Sequence, residues 1–180
     1  MNFIWYCNHA EDSQEFTDIM TDKDGYRHRT TLPIGKMRDE VWAKQKAFAT
    51  RVLPAPFAEL VNKTSQAFVS TVADIPLPSR ATFFDGKLLL VGDALQAFRP
   101  HVASSTNQAA LHALLLEKVL RNELTLEEWE RQVLQYAHVT RLRSIVWGSC
   151  YQFGLWTFVI SALHFAQALV LQWVGKLWYG

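Results

Sequence analysis

Gly92, Asp93 and Ala94, then Arg99, Pro100 and His101, then Ser105, Thr106 and Asn107 stand close together in residues 92–107. Their types suit the binding of a hydroxylated, partly anionic ligand. A carboxylate such as Asp93 accepts hydrogen bonds from sugar or ribityl hydroxyls. The first turn of a helix offers free N–H donors and partial positive charge to an electron-rich group. Arg99 and His101 flank Pro100 in the connecting loop and read either as an ordinary loop cation and histidine or, in a ligand pocket, as groups that contact an anionic ligand. The same residues also fit a plain structural role, with Asp93 closing a turn and Ser105 capping a helix.

These residues need a strand, a loop and a helix to hold them. Residues 87–91 form a short apolar run that ends at Gly92 and Asp93, which predicts a buried strand with the carboxylate at its C-terminal end. Residues 104–107 precede a run of good helix formers, residues 108–120, so hydroxyl and amide side chains are expected to cap that helix.

In the rest of the chain, residues 2–7, 16–21 and 26–31 read as strands, from their aromatic and β-branched content. Residues 22–25, ending in Gly25, read as a hairpin turn between the last two. Residues 39–53 space Val41, Trp42, Gln45, Phe48, Ala49 and Val52 on one helical face. Pro54 and Pro56 stop that helix, and residues 57–63 start another. Phe68, Val69, Val72 and Ile75 suggest a strand returning to the sheet. Thr125 and Glu128 form a capping-box pattern for a further helix, with Trp129, Val133, Tyr136, Ala137 and Thr140 on its buried face. The expected class is α+β, a mainly antiparallel sheet with flanking helices, followed by a strongly apolar helical tail. The expected segments are 1–85, 86–122 and 123–180.

Composition narrows the function. The chain has 180 residues and a formal net charge of +1, which fits one domain, or one domain with an appendage, and gives no case for nucleic-acid binding. Cys7 and Cys150 are far apart and lack metal-ligand spacing, so both read as reduced and structural, and no metal is expected. His28, between Arg27 and Arg29, is a weaker candidate for a substrate-facing residue. No serine–histidine–acid or cysteine–histidine set has a hydrolase's local spacing, and no catalytic residue is assigned.

Leu90-Val91-Gly92-Asp93-Ala94, followed by Pro100 and Asn107, resembles the second flavin-binding motif of the class A FAD-dependent aromatic monooxygenases, the p-hydroxybenzoate hydroxylase type. Arg99-Pro100-His101-Val102-Ala103 is most similar to the 2,6-dihydroxypyridine hydroxylase branch. The resemblance covers roughly two thirds of the chain, from residue 2 to residue 120. It implies an FAD- and NAD(P)H-dependent, O2-consuming hydroxylase of an aromatic or heteroaromatic substrate. It places Asp93, with Gly92 and Ala94, at the ribityl chain of FAD. Pro100 falls beside the isoalloxazine ring, and Ser105, Thr106 and Asn107 at the flavin's electron-rich edge. Two positions depart from the family pattern: Ser105 stands for a glycine, which crowds the approach of a ring, and His112 stands for a frequent acidic residue. No Gly-x-Gly-x-x-Gly occurs in the chain, so the pyrophosphate-binding turn is missing. The resemblance thus implies a C-terminal piece of the family's fold, from a truncated gene model or a decayed paralogue, with little turnover of its own.

Residues 144–175 contain no Asp, Glu, Lys or Arg. Residues 153–174 are long enough to cross a bilayer, which takes about 20 apolar residues. Trp147, Tyr151, Trp156, Trp173, Trp178 and Tyr179 gather toward the ends, as in an interfacial belt, and Arg141 and Arg143 precede the segment. Gln152, His164, Gln167 and Gln172 oppose insertion. Soluble packing, surface association and spanning all stay open, with the N-terminal part cytosolic in each. The alternative to an oxidoreductase is accordingly a non-catalytic, membrane-associated or interaction protein that uses this tail.

Overall fold

The computed structural model describes the backbone of residues 3–179 and the side-chain surroundings of residues 3–173. The chain divides into two compact units, Met1–Val72 and Ala73–Gly180.

In the first unit, helix α1 (Gln14–Met20) stands where residues 16–21 read as a strand. Ser13 caps it by accepting the Phe16 N–H at 3.1 Å, and Glu15 lies in its first turn, where a negative charge is favourable. Phe16, Ile19 and Met20 then meet Val41, Met37 and Val69 in a small core. A cap and an i, i+3, i+4 apolar set decided the state of a run too short for period alone to do so. The strand expected over residues 2–7 is also absent over the described part: residues 3–10 have no regular structure, and Asn2 lies outside the described residues.

Residues 22–25 do turn, with Gly25 at φ +83°, but the expected hairpin reduces to an isolated bridge between Thr21 and Arg27. A side chain organises this loop instead. Asp22 is 4 % exposed and accepts the Asp24 and Tyr26 N–H groups, both at 2.9 Å. Its other oxygen pairs with His28 Nε2 at 2.9 Å. The His28 hydrogen bond is the main cause that holds the Asp22 carboxyl below the ordinary range, with the two backbone N–H groups adding to it against the opposing effect of burial.

Strands β1 (Thr31–Leu32) and β2 (Val69–Ser70) pair antiparallel, Thr31 opposite Ser70 and Leu32 opposite Val69. Helix α2 (Asp39–Val52) buries Val41, Gln45 and Ala49 at four-residue steps. Pro54 separates it from α3 (Ala55–Lys63). Trp42 Nε1 donates to Thr64 O at 3.1 Å and Lys46 Nζ to Asn62 O at 2.9 Å, fastening the two helices. Cys7 is a free thiol whose pKa is raised to about 11, by burial first and by Glu15 second, so it is unreactive at neutral pH.

In the second unit, β3 (Thr82–Phe83) and β4 (Leu88–Leu89) pair antiparallel, Thr82 opposite Leu89 and Phe83 opposite Leu88. The strand expected over residues 87–91 is shorter and not buried; Leu88 and Val91 are each 45 % exposed. A two-stranded ladder has no second sheet to cover its outer face. The turn between the strands needs Gly86: its φ is +80°, and a Cβ there would stand 2.6 Å from Leu126 Cδ2.

Three helices follow: α4 (Ser105–Leu120), α5 (Leu126–Gln152) and α6 (Leu155–Tyr179). Thr125 forms the expected capping box with Glu128. The core of this unit contains Ala81, Leu95, Leu115, Trp129, Val133 and Ala137. Trp129 is fully buried, and its Nε1 donates to His112 O at 3.2 Å. Glu130, one residue on, ties α5 to the ladder by accepting the N–H groups of Ala81 and Thr82 and the Thr82 hydroxyl, all within 2.8 Å. Burial pushes the Glu130 pKa up, but these donors and Arg80 outweigh it and bring it down to about 2.

The charge-free stretch 144–175 is two elements. It supplies the end of α5, a break at Phe153 and Gly154, and α6, which packs back on α5 with a Ser149–Ser161 hydroxyl contact of 3.1 Å. Leu155–Trp173 has the length and composition to cross a membrane and is largely exposed. Trp156 is 79 % exposed at its start and Trp173 64 % at its end. Lys176, Trp178 and Tyr179 carry side chains outside the described set.

Candidate functional site

Gly92–Ala94 forms a single 3-10 turn directly after the ladder. Gly92 adopts φ +56°, a left-handed conformation that costs a residue with a Cβ about 1–2 kcal/mol. Both of its backbone groups are held by α4. The Gly92 N–H donates to His112 Nδ1 at 3.1 Å, and Gly92 O accepts from Gln108 Nε2 at 2.9 Å. Gln108 Nε2 also reaches Gln96 O at 2.8 Å, and Gln96 Nε2 bonds Ile75 O and Ala97 O. Gln96, Gln108 and His112 are all at most 1 % exposed. Burial pushes the His112 imidazole pKa down, which keeps the ring neutral and Nδ1 an acceptor.

This buried support leaves the next two residues outside. Asp93 and Ala94 are exposed, and among the described residues no donor takes the Asp93 carboxylate. The turn presents an unpartnered carboxylate directly after a glycine whose own N–H and C=O are both held.

The loop beyond runs through a second 3-10 turn, Pro100–Val102. Ala103 then takes φ +46°, a strained position for alanine of the kind that often marks a ligand-binding loop. Arg99 forms a two-pronged pair with Asp74, its Nε donating to Asp74 Oδ1 at 2.8 Å. That pair holds the Asp74 carboxyl below its ordinary range, against burial, with Arg141 and His101 adding to the effect. The guanidinium lies against Gly148 of α5, where a Cβ would collide with Arg99 Nη1. His101 Nε2 is 3.0 Å from Ser144 O, and its ring meets Tyr151 edge-on at 6.3 Å. Arg99 and His101 therefore anchor the loop to α5 as well as flanking Pro100, which is exposed.

At the start of α4, the expected side-chain cap does not form. Ser104 is the N-cap residue, but its hydroxyl donates to Val102 O at 2.9 Å and accepts from Arg143 Nη2 at 2.9 Å. The backbone of Ser104 is helical in ψ, which aims its hydroxyl away from the first-turn amides. Ser105 is half-buried, and Thr106 and Asn107 are exposed. The first backbone bond of the helix is from Gln108 N to Ser104 O at 2.9 Å, so the N–H groups of Ser105, Thr106 and Asn107 are left open to a ligand. His28, by contrast, is committed to Asp22 in the first unit.

Sequence reasoning did not find the roles of Gln96, Gln108 and Glu130. Gln108 and His112 stand one turn apart with Leu111 and Leu115 on the same stripe of α4. Two polar residues on an otherwise apolar stripe are a readable sign of a buried hydrogen-bond task. Glu130 has no such sign, because its partners lie almost fifty residues upstream.

Comparison with known proteins shows what the chain as a whole is similar to. The profile of a family described as FAD binding domain-like matches residues 1–74. The chain is 32% identical over 142 residues to 2,6-dihydroxypyridine 3-monooxygenase of Paenarthrobacter nicotinovorans, an alignment that takes in 77% of this chain and 34% of that protein. The solved structure of 2,6-dihydroxypyridine-3-hydroxylase from Arthrobacter nicotinovorans superposes with a TM-score of 0.70 at 28% identity. It covers 79% of this chain and 36% of the neighbour. The chain thus spans about a third of the length of the relatives it matches.

Proposed function

We propose that this chain, which is similar in sequence and fold to about a third of a 2,6-dihydroxypyridine hydroxylase, supplies the flavin-contacting and substrate-side part of an FAD-dependent aromatic-ring hydroxylation that uses NAD(P)H and O2. The observation that carries this reading is the pairing of an exposed, unpartnered Asp93 carboxylate with the open first-turn N–H groups of α4. Those groups suit a ligand with hydroxyls at one place and an electron-rich edge at another. FAD has both.

In this reading Asp93 accepts ribityl hydroxyls, while Gly92 and Ala94 keep the turn tight. Pro100 bounds the ring's site, and the N–H groups of Ser105, Thr106 and Asn107 donate to the flavin's electron-rich edge. His101 and Arg99 shape the substrate side of the loop through their anchors on α5 and Asp74. When bound, FAD supplies the redox and oxygen chemistry, and this chain's residues position it and shield it from water. The chain has no Gly-x-Gly-x-x-Gly to hold a pyrophosphate, so binding by residues 1–180 alone is expected to be weak, with weak or no turnover. Titration of the chain with FAD, read from the flavin absorbance band, tests the proposal. Weak saturable binding that falls at least about tenfold in Asp93→Ala supports it, the scale of one lost charge-assisted contact. Equal affinity in the variant removes Asp93 from the site.

The exposed apolar surface of α6 favours a second reading, attachment to a membrane. Leu155–Trp173 is free of charged residues and has tryptophan at both ends. Its 19 residues span about 28 Å, near the ~30 Å thickness of a hydrocarbon core. Flotation with liposomes discriminates: co-flotation that resists high salt supports insertion, and a detergent-free soluble protein refutes it.

A further inference from the structure

Gly92 is gripped by two side chains of different chemistry. Gln108 does not titrate, whereas His112 does. A neutral imidazole carries one N–H, and because Nδ1 accepts from the Gly92 N–H at 3.1 Å, the proton sits on Nε2. An imidazolium carries a proton on both nitrogens. Nδ1–H would then point at the Gly92 N–H, donor against donor, and the bond would be lost. A carboxylate in the same place would keep accepting until pH falls to about 4, while an imidazole, whose ordinary pKa is about 6.5, stops accepting as soon as it is protonated.

We propose that His112 is a positioning residue for flavin binding: its neutral Nδ1 fixes the Gly92 amide and so aims Asp93, and protonation of the ring frees the turn and weakens the flavin site. The proposal rests on the reading of Asp93 as a flavin ligand given above. The exposed carboxylate is the residue directly after the gripped amide, so a rotation of the Gly92 peptide redirects Asp93. Gly92 already holds φ +56°, a conformation that the hydrogen bonds from α4 maintain.

Burial lowers the His112 pKa. The lock is therefore fully formed above the unfolded-state value near 6.5 and fails as pH falls from there through the lower folded value. His112 faces the Gly92 turn and Trp129 of α5, with an edge-on ring contact of 6.1 Å. The titratable and charged groups on those packed elements are Asp93, which is exposed, and Glu127, Glu128, Glu130 and Arg131 around Trp129. Glu128 is committed to the Thr125 cap and Glu130 to Ala81 and Thr82. On α4 itself the charged residues are Glu117 and Lys118, more than one turn further on.

Two variants and two readouts test the lock on the full chain. In His112→Asn, Oδ1 takes roughly the place of Nδ1 and does not titrate; in His112→Leu the acceptor is gone. FAD affinity of the wild type is expected to weaken about tenfold between pH ~7.5 and ~5, the scale of one charge-assisted contact. His112→Asn retains the neutral-pH affinity and loses most of that slope. His112→Leu is weak throughout. The other histidines remain in His112→Asn, so any residual slope belongs to them. A slope in His112→Asn equal to the wild type overturns the proposal. Hydrogen exchange of the Gly92 amide needs no flavin. Protection that falls with pH in the wild type and stays in His112→Asn supports the lock, and identical profiles overturn it. Absence of FAD binding at any pH would refute the flavin reading, while the exchange data would still decide the lock. Failure of His112→Leu to fold leaves the comparison with His112→Asn intact.

Discussion

Asp22 and Asp93 both stand in a turn that contains a glycine of positive φ, Gly25 and Gly92, and their surroundings are opposite. Asp22 is buried, and its carboxylate takes two backbone N–H groups and the His28 ring. In that turn the side chain satisfies the backbone. Asp93 is exposed and, among the described residues, its carboxylate takes no donor, while the C=O and N–H of the preceding Gly92 are held from behind by Gln108 and His112. A carboxylate that organises its own loop has no capacity left for a ligand. One whose loop is organised by other residues keeps its full capacity. The contrast separates an acid committed to its own loop from one left available for the proposed ligand.

Removing the structural acid should have the largest effect. Asp22→Ala leaves two backbone donors and His28 without their acceptor, and the first unit is expected to lose its cooperative thermal transition or to melt well below the wild type, as read by circular dichroism. Acid should reproduce part of this loss. The folded pKa of Asp22 lies below its unfolded value, so its contribution is present above about pH 4 and disappears as pH falls through the folded value. Asp22→Asn should flatten that part of the stability–pH curve, and an unchanged curve would assign the acid sensitivity elsewhere.

The next effect in size concerns the support behind Asp93. Gly92→Ala places a Cβ at φ +56° and is expected to cost about 1–2 kcal/mol. The added Cβ would stand 3.5 Å from Ala109 Cβ, an ordinary contact, so the loss is one of backbone strain and not of packing. A denaturant melt measures it, and a neutral result would show that the turn relaxes. The smallest effect on stability belongs to Asp93→Ala, within about 0.5 kcal/mol of wild type. A substantial loss of stability there would make Asp93 a structural acid like Asp22 and erase the contrast. Combined with reduced FAD affinity, an unchanged melt would complete it.

How much of this was legible in the sequence varies with the range of the forces involved. The strand–turn–helix order around Asp93, the capping box at Thr125 and the amphipathic helix α2 depend on neighbours within a turn or two, and pattern alone located them. Residues 16–21 read as a strand because six residues with apolar groups at 16, 19 and 20 are too few to fix the period. The Ser13 cap and the partners Val41 and Val69 decided for helix. The expected buried strand over residues 87–91 lost its burial because its ladder has a single partner strand, which no local pattern reveals. The missing cap at Ser104 has a similar origin: Arg143, thirty-nine residues away, takes the hydroxyl.

The sequence by itself determined the likeness of residues 90–107 to a flavin-binding motif, the lack of a Gly-x-Gly-x-x-Gly within these 180 residues and the charge-free run at 144–175. Each is a matter of residue identity and spacing along the chain. The tertiary structure alone decided which carboxylate is empty and which side chains grip Gly92. It also decided that the charge-free run breaks at Phe153 and Gly154 into the end of one helix and a second, exposed one. Those outcomes depend on which buried donors and acceptors meet across tens of residues. A buried polar group must find a partner in space, and its nearness in sequence does not decide which.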